Sequence, residues 1–182
     1  VQAPNGEVAF SYAPTFLVQA INLFFPPVYA SLTGTSAVPD GTLVQLGRLS
    51  ADGSGFAVLG ATSTAGGTYS FNLASLGLQI ANDLLVRVVN GAVEMRAFVT
   101  RSAVDIDPAS ETAVRLVLQQ FPALPGATIK NFTVQELADI TGSINVLVTV
   151  KKLAAATNLE SAVSRIRSAI AADASLMAFI AA

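Results

Sequence analysis

The hydrophobic pattern of this chain changes period near Asp105, and that change limits the folds open to it. Before Asp105, stretches rich in Gly, Thr, Val and Ser alternate with period two. After it, Ala, Leu, Ile and Glu recur at helical spacing behind capping signals. Strands send successive side chains to opposite faces, whereas helices bring positions i, i+3 and i+4 together. A run of strands followed by a run of helices makes an α+β fold, not a doubly wound sheet. The expectation is a β-sheet unit over 1–104 and a helical unit over 105–182 packed against it.

The strand half divides at its turns. Gly6–Ser11 is a first candidate strand, followed by an apolar insert at about 12–31. Pro39-Asp40-Gly41 then makes a turn, because Pro presets φ and Gly accepts positive φ. Thr42–Leu49, Phe56–Ser63, Thr68–Leu73, Leu84–Val89 and Ala92–Val99 alternate between Gly-rich connections. Asn90-Gly91 suits a tight hairpin turn. Short strands of this pattern predict an antiparallel β-sandwich.

The helical half carries its own punctuation. Asp107 followed by Pro108 reads as an N-cap with proline at the first helical position, with Glu111 in the first turn. Ala113, Val114, Leu116, Val117, Leu118 and Phe121 supply an apolar stripe, which Pro122–Gly126 ends. Thr133-Val134-Gln135-Glu136 has capping-box form ahead of Leu137, Ile140, Ile144 and Leu147. Thr157-Asn158-Leu159-Glu160 repeats the device ahead of Val163, Ile166 and Ile170. Asp173 is placed to cap a last short helix, and the set predicts a small α-helical bundle. The β-branched run around Val146–Val150 opposes a helix there.

Charge is distributed unevenly. No charged residue occurs between Glu7 and Asp40, and a second uncharged stretch runs from Gly53 to Asn82. Charged residues are only 12% of the chain and mean hydropathy is +0.59, so these gaps suggest faces covered by something other than water. Within the insert, Phe16, Leu17, Ile21, Leu23, Phe24, Phe25, Val28 and Tyr29 form the candidate interaction surface, with Met177, Phe179 and Ile180 near the C-terminus as a second patch. Burying Phe16, Ile21, Phe24 and Phe25 would contribute about 6–12 kcal/mol before association costs. The insert is shorter than the ~20 residues of a membrane span and is interrupted by Gln19, Asn22 and Pro26-Pro27. No membrane span is expected.

Composition also narrows the chemistry. With His 0 and Cys 0, zinc, haem, copper and iron–sulfur sites lose their usual ligands, and thiol or His-based nucleophiles are excluded. A net charge of −2 offers no basic field for nucleic acid. Asp105, Asp107 and Glu111 are the densest acidic group and could ligate a hard cation such as Ca²⁺. Such a loop needs more ligands and a turn glycine, so the simpler reading is a helix cap and a dipole-favoured acid. A glycosidase pair needs two acids in a cleft with aromatics for the sugar, and Trp is 0. Ala65-Gly66-Gly67 lacks the following Lys-Thr/Ser of a phosphate loop. Asn131-Phe132-Thr133 matches a glycosylation sequon, though Thr133 is explained as a cap. No catalytic, metal or cofactor residues are assigned, and no enzyme activity is expected.

Gly6-Glu7-Val8, Val38–Leu46 and Thr64-Ala65-Gly66-Gly67-Thr68-Tyr69-Ser70-Phe71 together resemble the carboxypeptidase-regulatory-like, or transthyretin-like, domain over residues 6–100. The family's turn aspartate is replaced here by Ala65, and the insert separates the first strand from the rest. The resemblance implies a Greek-key sandwich, non-catalytic and appended to secreted or surface proteins. Val104–Glu111 and Asn131-Phe132-Thr133 are similar to tails of uncharacterised exported bacterial proteins, which implies no function. Val1-Gln2-Ala3-Pro4-Asn5-Gly6 reads as a mature or a trimmed N-terminus; a removed signal peptide would explain it, and a secreted or cell-surface location is the expectation. The leading expectation is a structural module that self-associates as a homo-oligomer or filament. The alternative is a module binding a lipid or small apolar ligand in a cleft between sandwich and helices.

Overall fold

A computed structural model describes residues 31–36, 38–122, 126–151, 153 and 158–181. The expected strand Gly6–Ser11 and the insert up to Ala30 lie outside the described residues.

The fold is α+β. Strands β1 (Ser31–Thr35), β2 (Leu43–Leu49), β3 (Phe56–Ser63), β4 (Thr68–Asn72), β5 (Leu84–Asn90) and β6 (Val93–Phe98) precede helices α1 (Pro108–Leu118), α2 (Val134–Val150), α3 (Leu159–Ala171) and α4 (Ala174–Ala181). A 3₁₀ turn, Ile129–Asn131, leads into α2. The strands form two antiparallel sheets, a pair β1-β4 and a four-stranded sheet ordered β3-β2-β5-β6.

Strand β1 was not expected from the sequence. Ser31–Thr35 holds one leucine and a glycine, so it shows no alternation of its own. Its backbone is claimed from both sides: Leu32 pairs with Phe71 of β4, while Thr33 N–H donates to Ser102 O (2.8 Å) and Val104 N–H donates to Thr33 O (2.9 Å). Gly34 permits this close layering, since a Cβ there would lie 1.6 Å from Val104 O. The Tyr69 hydroxyl donates to the same carbonyl at 2.6 Å. Burial, and secondarily the charge of Asp105, pushes the Tyr69 pKa up, so this hydroxyl keeps its proton.

The turns explain the register. The Asp40 carboxylate accepts from Gly66 N–H (2.9 Å) and Gly67 N–H (2.8 Å), so the loop ahead of β2 pins the turn into β4. Those bonds, Gly67 first, pull the Asp40 pKa down. The last hairpin differs by one residue from expectation. Asn90 pairs with Val93, which leaves Gly91-Ala92 as the loop. Gly91 takes the positive φ (62°) at the first loop position, which a glycine adopts without strain.

Two apolar clusters flank the four-stranded sheet. Leu32, Tyr69 and Phe71 of the small sheet join Val44, Leu46, Val86 and Met95 of the large one. On the opposite face Leu49, Leu85 and Phe98 join Val114, Val117, Ile140, Ile144 and Ile166 from the helices.

The helix starts are local. Asp107 accepts from Ser110 N–H (2.8 Å), and Thr133 and Glu136 form the expected capping box. Asp173 accepts from Leu176 N–H (3.0 Å) ahead of α4. At α3 the cap is Asn158, accepting from Ser161 N–H (2.9 Å), while Thr157 of the expected box lies outside the described residues. Glu160 faces Arg115. Helix α2 continues through Val150 despite its β-branched run, because buried Leu147 anchors that turn in the core.

Candidate functional site

Three features of the described residues could carry function. The first is ionic. Glu111 is 1% exposed on α1 and faces β6. It accepts from Arg96 N–H (2.8 Å), Arg96 Nε (3.0 Å) and Nη2 (2.7 Å), and Arg115 Nε (2.7 Å). Arg115 continues outward to Glu160 of α3 through two bonds of 2.8 and 2.7 Å. Burial opposes the Arg96 charge, but its bonds to Glu111 outweigh that and hold its pKa above the ordinary value. Glu160, then Glu111, raise Arg115 likewise.

The bonds of Glu111 all go to Arg96 and Arg115, so its carboxylate is engaged in structure. The expected acidic group is therefore dispersed: Asp107 caps α1, Glu111 ties helix to sheet, and Asp105 is exposed. Burial raises the Asp107 pKa against the pull of its Ser110 bond. Among the described residues no group of three or more acids, His or Cys could hold a metal ion. Sequence reasoning gave Glu111 to the helix dipole. Arg96, fifteen positions earlier, offers no local signal of the pairing.

The second feature is an apolar groove of about 770 Å³ between α2 and α4. Val146 (61% exposed), Val150 (73%) and Phe179 (45%) line it, with Asp139, Lys151 and Asp173 among its other lining residues. Ile140, Ile144 and Leu147 take the buried side of α2, so helical spacing turns Val146 and Val150 outward. That spacing was the available signal for them. Met177 is also exposed, while Ile180 packs partly against the helical core. Phe16, Leu17, Ile21, Leu23, Phe24, Phe25, Val28 and Tyr29 lie outside the described residues.

The third is a cavity of about 550 Å³ along β6, the edge strand of the large sheet, beside α2 and α3. Val93 and Met95 of β6, with Val38 from the segment ahead of β2, form one wall; Val148, Leu159 and Ile166 form the helical wall. Asn158 and Arg165 line it as well.

No helix of the described residues is long and apolar enough to cross a membrane. Comparison with family models, curated proteins and solved structures finds no match to this chain.

Proposed function

We propose that this protein is a non-catalytic, exported structural module that self-associates through apolar surface, as a homo-oligomer or a subunit of an extracellular filament or surface assembly. The observation that carries the reading is the α2–α4 groove, where Val146, Val150 and Phe179 stand in water together. Singly exposed apolar residues are ordinary; a lined groove of them marks a contact surface. The occupant is a second copy of this chain, whose charge-free segment from Phe16 to Tyr29 offers the complementary apolar side chains. Two different surfaces meeting in this way join subunits head to tail, the arrangement that extends into filaments when it does not close.

The sheets are read as the two layers of a transthyretin-like Greek-key sandwich, with α1–α4 as a small bundle on its outer face. What supports this is the apolar cluster shared by β1, β4 and the large sheet. The exported location rests on the family resemblance.

Light scattering after size exclusion, with negative-stain microscopy, tests the assembly. The full chain is expected to form oligomers, and Val146→Asp with Val150→Asp is expected to leave monomers. Both positions are exposed, so thermal stability should change by less than about 0.5 kcal/mol. A parent chain that stays monomeric at high concentration overturns the reading.

A further inference from the structure

We infer that the cavity beside the β6 edge is a binding site for a single-chain amphiphile with an anionic headgroup, its chain lying between Met95 and Ile166 and its headgroup at Arg165. This stands apart from the assembly surface, which lies between α2 and α4. A volume of about 550 Å³ falls within the roughly 300–1,000 Å³ of small-molecule sites. The two walls belong to different layers, Val93 and Met95 to β6, Val148 to α2, and Leu159 and Ile166 to α3. An apolar chain between them would be enclosed on both sides, while a flat patch would cover only one.

Arg165 supplies the charge. Every other arginine of the described residues is engaged: Arg48 with Asp83, Arg87 with Gln45 and Glu94, Arg96 and Arg115 with Glu111, Arg101 with Ala103 O and Arg167 with Gln119. Arg165 alone has no partner among the described residues, and it lines this cavity. Its planar fork fits a carboxylate, sulfate or phosphate head. A cationic head would need Asp107, the one acid on the wall, whose carboxylate is already bound to Ser110 N–H of its own helix.

Calorimetric titration of the full chain with laurate, dodecanol and dodecyltrimethylammonium, each below its micelle concentration, tests the site. One laurate per chain is expected to bind saturably, and more tightly than either other compound. Arg165→Gln should weaken laurate roughly fivefold, the scale of a partly exposed ion pair, and leave dodecanol unchanged. Val93→Trp, at an exposed strand position that accepts aromatics, should obstruct all binding; Ala162→Trp on the helical wall is the second obstruction. Circular dichroism and melting establish that each variant is folded. Absence of laurate binding overturns the inference. So does equal binding of dodecyltrimethylammonium, or unchanged laurate affinity in Arg165→Gln or in a folded wall variant.

Discussion

The two faces of the four-stranded sheet are built on different physics. Toward the small sheet, Val44, Leu46, Val86, Val88, Met95 and Ala97 are nearly inaccessible, and the buried Tyr69 hydroxyl of β4 is bonded to Val104 O beside β1. Toward the helices, the same strands present Gln45, Arg87, Glu94 and Arg96 beside Leu85 and Phe98. Arg87 bonds to Gln45 and Glu94 and lies 4.3 Å from the centroid of Phe56. The contrast shows how a single sheet serves two partners. Dispersion and burial hold both faces, but where a helix crosses the strands a few charge-assisted bonds are added that fix its place.

Removing Glu111 is the most severe way to break this contrast. Glu111→Ala leaves Arg96 without its buried counter-charge and should cost about 3–5 kcal/mol in a urea melt, as for other broken buried pairs. Arg96→Met combined with Glu111→Leu should cost less, because charge and partner leave together. A loss below about 1 kcal/mol for Glu111→Ala would mean that apolar packing alone seats α1.

Tyr69→Phe tests the dry face. It deprives Val104 O of its hydroxyl donor while keeping the ring against Phe71, so a loss of about 1–2 kcal/mol is expected from the same melt. An unchanged midpoint would show that this contact with the 102–106 segment is dispensable.

The smallest effect sharpens the comparison through pH. Bonds from Arg115 hold the Glu160 carboxyl below its ordinary pKa of 4.5. A depressed folded pKa contributes stability that is present above the unfolded value and lost as pH falls through the folded one. Stability measured from about pH 6 downward should therefore fall less steeply in Glu160→Gln than in the parent. Tyr69→Phe should leave the Glu160-dependent part of that slope unchanged, since the Tyr69 hydroxyl bonds the Val104 carbonyl and not Arg115 or Glu160. A parent slope identical to that of Glu160→Gln would detach Arg115 from the outer acid.

Much of the architecture was legible because its signals are short-range. A cap is a side chain bonded to a backbone N–H three residues away, so Asp107, Thr133 and Asp173 could be read from their immediate neighbours. Strands β2 to β6 carried period-two patterns that survived in the fold. Strand β1 was hidden, since Ser-Leu-Thr-Gly-Thr gains its identity from β4 and from the chain near Ala103. Of the expected interaction residues, Met177 and Phe179 are found on the surface, whereas Val146 and Val150 were read only as weak helix formers.

The order of residues alone determined the switch from strands to helices near Asp105, the turns at their glycines and the chemistry closed to a chain lacking His and Cys. Only the packing of distant segments decided that Glu111 would bind Arg96, that Arg165 would face a cavity, and that Val146 would be left in water while Leu147 is buried. The reason is physical: backbone caps and periodicity act over a few residues, whereas partners, burial and cavities exist only after segments far apart in the chain have met.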